Sequence, residues 1–409
     1  MKYLILGGGP AGLTVANRLL QKGETDFLLL EKESEVGGLC RSALVDGAPL
    51  DIGGGHFLDT RSPRVCEFLF QFIPQVEWAK YARISKIQYN DILLGYPFES
   101  NIWQMKVDDQ VAFLESIARA GCNSGTAKPE RFVEWISWKL GEKIAEEYML
   151  PYNRKMFGDD LNELGTYWLE KLPSVSFEDT LRSCLMQRPY GKGPGHATFY
   201  YPKHHGYGAV WLKMGASLGN RLICGKAVAW IDMETRQVGT QDGEVYQADV
   251  IITTVPWRSF QTVRGISEDM QAEIRTLKHS TICIDYHEEN LNTDAHWIYY
   301  SDPKLSYHRI LVRHNFAQGS RGYWTETNMN RVSKESGIRF VNEYAYPLNT
   351  LHKPAIMERL LSYAREHGVY GLGRWGEHSH YNSDVTVEKA MDLAEGLLKQ
   401  GVYNGLCKC

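Results

Sequence analysis

One glycine pattern near the start of the chain restricts the fold more than any other feature. Residues 2–6, Lys-Tyr-Leu-Ile-Leu, run directly into Gly7-Gly8-Gly9-Pro10-Ala11-Gly12. The apolar run reads as a buried strand, and the following LTVANRLLQKG has helical periodicity closed by Gly23. DFLLLEK then supplies a second strand that ends at Glu31. The pattern Gly7-x-Gly9-x-x-Gly12 therefore sits in the strand–turn–helix context of a dinucleotide fingerprint. Gly7 permits the tight turn, Gly9 admits a pyrophosphate close to the backbone, and Gly12 lets helix and strand pack closely. The helix N-terminus then points its unpaired N–H groups and positive dipole end at the phosphates. Glu31, about 20 residues further on, is placed to accept hydrogen bonds from ribose hydroxyls.

The remaining composition removes whole classes of function. The 409 residues are 43% hydrophobic and 23% charged, which excludes a disordered, collagen-like or coiled-coil chain. That length suggests two or three domains. No apolar run approaches the ~18 residues of a membrane span, and the opening MKYLIL meets glycine too soon for a signal peptide. The net charge of −4 gives no electrostatic case for nucleic acid or an anionic membrane. Eight cysteines lack metal-type spacing and imply reduced thiols in a cytoplasm, with the terminal Cys407 and Cys409 read as free thiols. The His378/His380 and His204-His205 pairs lack carboxylate or cysteine partners at useful spacing, so no metal site is expected. Trp135, Trp138 and Trp168 in the helical segment 127–170 read as core.

A second glycine motif separates FAD from NAD. EKESEVGGLCRS places Gly37-Gly38 just after the acidic strand, followed by Arg41 and Ser42. It resembles the second glycine pair of the FAD family that holds amine oxidases, protoporphyrinogen oxidase, phytoene desaturases and UDP-galactopyranose mutases. AVAWIDMETRQVGTQDGEVYQADVIITTVP resembles that family's returning hairpin, with Val228 against the adenine and Thr254-Val255-Pro256 ending a strand near the cofactor. GVYGLGRWGEHSHYNSDVTVEKAMDLAEGLL resembles its last strand, turn and helix beneath the flavin. The resemblance implies an α/β fold with a Rossmann-like FAD-binding domain of the glutathione-reductase type, assembled from 1–95, 190–262 and 346–409. A helical insertion at 96–189 and an antiparallel sheet domain at 263–345 would cover the substrate.

The branch of the family rests on the segments facing the flavin. DIGGGHFLDT brings Gly54 and His56 together in a run resembling the GGH motif of UDP-galactopyranose mutases, whose histidine lies against the ring. GYPFESN at 95–101, HWIYYSDPKLSYHRILVRHNF at 296–316, EYAYP at 343–347 and GRWGEHSHYNSD at 373–384 resemble further segments of the eukaryotic-type mutases. Carried over residue by residue, Tyr299, Arg309 and Tyr346 grip a diphosphate. Arg374 lies near the flavin and Asp384 near its ribityl chain. Glu99 replaces a glutamine beside the base, Phe157 a tryptophan near the nucleotide, His380 a tyrosine, and Phe316 a second tyrosine. The family's other diphosphate arginine is missing from TYWLEKLP, where Lys171 is the nearest cation. A carboxylate at Glu99 suits a base with two N–H donors, such as guanine, better than uracil.

The family's activity interconverts pyranose and furanose forms of a nucleoside-diphosphate sugar without net oxidation. Reduced FAD attacks the anomeric carbon through N5, with NAD(P)H as an external reductant. Arg374 and His56 would then tune and orient the flavin, and YGKGPG at 190–195 is glycine-rich enough to flex over the nucleotide. Arg41 leans the other way, since it is commoner among FAD-dependent amine oxidases and desaturases. Self-association is left open by the residues.

Overall fold

The computed structural model describes residues 1–120, 125–169, 176–191, 197–333 and 337–406. Lys171, most of the 190–195 stretch, Cys407 and Cys409 lie outside the described residues. A five-stranded parallel sheet runs in the order Leu222–Ile223, Phe27–Leu30, Tyr3–Leu6, Val250–Thr253, Val369–Gly371. Every residue of the central strand Tyr3–Leu6 is buried, as expected for a parallel sheet covered on both faces. Its alternate side chains enter two different cores. Tyr3 and Ile5 pack with Leu13, Val15 and Leu19 of the helix Pro10–Gln21. Leu4 and Leu6 pack instead with Ile251, Trp257 and Leu360.

The turn after Tyr3–Leu6 is tight because its glycines touch. A Cβ at Gly12 would overlap the carbonyl oxygen of Gly7, so no larger residue fits there without shifting the turn. Pro10 then starts the helix, where its missing N–H costs nothing. The terminal helix Ser383–Leu406 lies against the helix Pro10–Gln21. A smaller four-stranded sheet, Val245–Gln247, Gln237–Thr240, Val228–Asp232, Thr262–Arg264, sits beside them and brings Val228 to the cofactor side.

The second large element is a seven-stranded sheet in the order Arg339–Pro347, His279–His287, Tyr323–Asn328, Arg309–Leu311, Trp297–Tyr300, Ser85–Tyr89, Ile92–Gly95. Its pairings are antiparallel except one, since Trp297–Tyr300 and Ser85–Tyr89 run parallel. Ser85–Tyr89 and Ile92–Gly95 fall within the 1–95 segment assigned from sequence to the FAD domain, yet they hydrogen-bond into this sheet. Helices Val107–Ala120, Phe132–Leu140, Leu150–Phe157 and Phe177–Met186 make up the region expected to be a helical insertion. The last of them starts on Ser176, whose hydroxyl accepts the Asp179 N–H at 3.1 Å. Trp135 is buried, and Trp168 meets Phe132 and Phe157, so these rings pack as core. No helix among the described residues is long and apolar enough to cross a membrane.

Candidate functional site

A cavity of about 670 Å³ opens along the carboxyl ends of the parallel strands. Gly7, Gly9, Pro10 and Ala11 line one end, with the helix N-terminus aimed into it. Gly12 packs behind them and does not face the cavity. Gly37 donates its N–H to the Gly8 carbonyl at 2.8 Å, which seats the second glycine pair on the phosphate turn and leaves Gly38 in the wall. The Glu31 carboxylate is buried and held by two backbone donors, Gly8 N at 2.5 Å and Glu33 N at 2.9 Å. It lines the cavity beside Val228, Thr254, Val255 and Pro256. Arg41 lines the same wall, donating to the Gly38 carbonyl at 3.1 Å and pairing with Glu33 at 3.4 Å.

His56 and Arg374 line the other end of this cavity. The run Gly53–Gly55 passes so close to the segment at 38–40 that a Cβ on Gly53 would overlap the Leu39 carbonyl. His56 follows, and its Nδ1–H donates to the Gly54 carbonyl at 3.1 Å. Burial, then the nearby Arg374 charge, pushes the imidazole down to about 3, so the ring is neutral with Nε2 as an acceptor. Arg374 is held by three bonds to backbone carbonyls, two to Tyr381 at 3.1 and 2.8 Å and one to Ala345 at 3.0 Å. Burial lowers its pKa, and among the described residues no carboxylate pairs with it. A buried cation without a counter-anion suits the electron-rich pyrimidine edge of a flavin. The cavity volume lies within the ~300–1,000 Å³ usual for cofactor sites. The phosphate turn, Glu31, Val228 and Arg374 thus fit FAD along a single cavity.

Tyr299, Arg309 and Tyr346, the residues matched in sequence to a diphosphate grip, gather on the seven-stranded sheet, and of the three Arg309 alone lines a cavity. Tyr299 and Arg309 sit opposite each other on adjacent antiparallel strands, and Arg309 donates to the Tyr346 hydroxyl at 3.3 Å. Arg309 is also clamped by Glu326, through Nε at 2.9 Å and a shorter bond from its terminal nitrogen. Glu326 is 1% exposed, and Arg309 holds its carboxyl down at about 2 against the opposing effect of burial. The same carboxylate accepts the Gly55 N–H at 3.2 Å, which ties the substrate sheet to the loop carrying His56. A second cavity of about 150 Å³ lies here, walled by Arg83, Arg309, Trp297, Phe57, Asp59 and Asp384 among others. His56 and Ser383 line both cavities.

Other sequence-derived residues fall elsewhere. Asp384 lines the small cavity and not the large one. Gly54 lies behind the walls, where a Cβ would come 2.9 Å from Glu326 Oε1. His380 meets the Tyr346 ring at 5.0 Å between centroids. Glu99 is buried at the start of a short helical turn, Glu99–Gln104, and burial pushes its carboxyl up to about 6. Phe157 turns into the helical core against Trp168, 6.0 Å between centroids, and Phe316 packs on Phe57, Tyr201 and Trp324. Glu99 and Phe157 line neither cavity. The sequence reading missed Glu326, Arg83 and Trp297. A single alternation, YWTETN, was the available signal for Glu326, and it marks a face without naming a partner.

Comparisons with known proteins agree with this architecture. Residues 5–72 match the family model of an NAD(P)-binding Rossmann-like domain. An uncharacterised protein encoded 3′ of nifH2 in Methanothermococcus thermolithotrophicus is 51% identical over 53 residues, 13% of this chain. The chain spans 50% of that relative's length. A solved structure of reduced UDP-galactopyranose mutase superposes with a TM-score of 0.86 at 22% identity, covering 98% of this chain and 94% of its own. A redesigned putrescine oxidase superposes at 0.65 with 13% identity, covering 97% of this chain and 99% of its own. The chain therefore carries a Rossmann-like dinucleotide-binding domain within the fold that UDP-galactopyranose mutase and putrescine oxidase share.

Proposed function

We propose that this chain is a cytoplasmic, FAD-dependent mutase of carbohydrate biosynthesis that interconverts pyranose and furanose forms of a nucleoside-diphosphate sugar. The observation that carries the reading is the position of His56, whose one imidazole lines both the dinucleotide cavity and the small cavity beside Arg309. A reactive ring in the first cavity would thus face a sugar-sized space in the second. The likeness to UDP-galactopyranose mutase over nearly the whole chain supports the same reading. FAD, when bound and reduced, would supply the ring nitrogen that attacks the anomeric carbon while the diphosphate departs.

The chain's own groups bind and orient. Arg309, Tyr299 and Tyr346 hold the diphosphate with charge-assisted and hydroxyl donors, keeping it close for its return. Arg374 stabilises negative charge on the reduced ring from a site with little water. His56 is too weak a base to take a proton at neutral pH, so its part is to position the ring and the sugar. Phe57, Phe199 and Trp297 wall the small cavity and keep water from the reacting carbon. NAD(P)H is the proposed external reductant.

The test is to reduce the purified protein with dithionite or NADPH and supply UDP-, GDP-, CDP- and dTDP-sugars without oxygen. Appearance of the furanose isomer by ion-pair chromatography, only after reduction, is the expected result. If no isomer forms with any of the four classes, the reading fails. A second reading, an FAD-dependent oxidase of amines or apolar donors, is favoured by Arg41 in the cofactor wall and by the fold shared with putrescine oxidase. It predicts oxygen consumption with such a donor, which the mutase does not show.

A further inference from the structure

The two arginines of the small cavity differ in one decisive respect. Arg309 faces the cavity with its charge already matched, because Glu326 takes both its Nε and a terminal N–H. Arg83 has no such partner. Its Nε donates to Ser85 Oγ at 2.8 Å and a terminal nitrogen donates to the Tyr299 hydroxyl at 2.8 Å. Its guanidinium lies over the Trp297 ring, 4.8 Å from the centroid, and near Tyr96 at 5.7 Å. Among the described residues no carboxylate forms an ion pair with it. These contacts hold the fork in place without neutralising it.

The other charges around the cavity leave this imbalance standing. Asp59 is matched by Arg61, with bonds at 2.8 and 2.7 Å. Asp384 stands in the first turn of the helix Ser383–Leu406, where the dipole offsets its charge. His56 is neutral, and so is His296, which burial and then Arg83 push down to about 4. A half-buried cation held by neutral acceptors is a ready site for an oxyanion. The sequence offered Lys171 as the nearest candidate for a second diphosphate cation, and Arg83 instead stands two residues before the strand Ser85–Tyr89, which pairs with Trp297–Tyr300 more than two hundred residues away in sequence.

We propose that Arg83 is a second oxyanion-binding residue of the substrate cleft, adding to Arg309, whose charge Glu326 offsets, the unmatched cation that grips the diphosphate. The proposal deepens the mutase reading by naming which group selects the phosphates, and it rests on that reading only for the identity of the anion. The chemistry shared by a diphosphate and a sugar carboxylate is a planar-fork contact to two oxygens, so the experiment separates the two sources.

The experiment is titration calorimetry on the FAD-loaded protein with inorganic pyrophosphate and, separately, D-glucuronate. Arg83→Met is expected to weaken pyrophosphate binding about 30-fold, and Arg83→Lys, which keeps the charge but loses the fork, about fivefold. Lys86→Met, which removes a cation of the same sheet that Asp294 already matches and that lines neither cavity, should stay within about threefold of the parent. Retention of the flavin spectrum confirms that each variant is folded; should Arg83→Met lose it, Arg83→Lys alone decides. The proposal is overturned if the parent does not bind pyrophosphate, if both Arg83 variants bind like the parent, or if Lys86→Met loses more than Arg83→Met. Arg83-dependent binding of glucuronate but not pyrophosphate would move the site to a sugar carboxylate and likewise overturn it. No turnover is read, so Arg83-dependent binding in a protein without mutase activity sinks only the mutase reading.

Discussion

The large cavity and the small cavity beside Arg309 meet at His56 but are constructed by different means. The first is made of backbone: a glycine turn, a helix N-terminus and one carboxylate held by two N–H groups. Its phosphate end, from Gly7 to Arg41, lies close in sequence, so the geometry there follows from local constraint. The second is made of charged side chains brought from separate strands, with Arg309 directly opposite Glu326 across an antiparallel pair. A backbone site is broken first by a change of shape. A side-chain site is broken first by any change that leaves one buried charge unmatched.

The largest effect should come from breaking that match. Glu326→Gln leaves Arg309 without its counter-ion and is expected to cost about 3–5 kcal/mol in urea unfolding, whereas replacing both partners with Met should cost far less. If single and double variants are equally unstable, the cleft is not organised around the pair. Next comes a pH effect from a buried carboxyl outside both cavities. Asp51 is fully buried, accepting from Ser42 at 2.5 Å, Tyr201 at 2.9 Å and the Tyr207 N–H at 3.3 Å. Burial raises its carboxyl from 3.8 to about 7 in spite of those donors. Between those values the folded protein holds a proton that the unfolded chain has lost, so stability falls as pH rises through the window. The loss is no more than about 4 kcal/mol, and Asp51→Asn should flatten the pH dependence of unfolding. An unchanged slope would remove Asp51 from the account.

In the backbone-built region, Gly12→Ala should lower FAD affinity about 100-fold, because its Cβ displaces the Gly7 carbonyl from the phosphate turn. Flavin release followed by fluorescence measures this, and full FAD retention would contradict the turn geometry. The smallest effect concerns Glu99, which is buried and lines neither cavity. Glu99→Gln should leave the preference between GDP and UDP within about twofold in competitive binding. A tenfold shift toward UDP would show that Glu99 reads the base after all.

What could be read from the sequence follows the same division. The first strand and helix, the phosphate turn, Glu31 and the seat of Gly37-Gly38 were legible because each depends on neighbours within a few tens of residues. His56 was legible from its glycine run. Arg83 and Glu326 were not, because alternation along a strand gives the face of a residue and never its partner. Register places Glu326 across from Arg309, and the parallel pairing of Ser85–Tyr89 with Trp297–Tyr300 brings Arg83 to Tyr299. That pairing also moves residues 85–95 from the dinucleotide side to the substrate sheet. Phe157 shows the converse limit, since an aromatic at a helical spacing reads equally as ligand contact or core, and Trp168 settles it as core.

The most direct test of a ring in one cavity acting on a sugar in the other is positional isotope exchange. A nucleoside-diphosphate sugar labelled with heavy oxygen between the anomeric carbon and phosphorus is incubated with reduced and with oxidised protein. The account predicts that the label scrambles into non-bridging phosphate positions with the reduced protein alone, with no oxygen consumed. Absence of scrambling, together with reduction of the flavin by an amine or apolar donor, would contradict it.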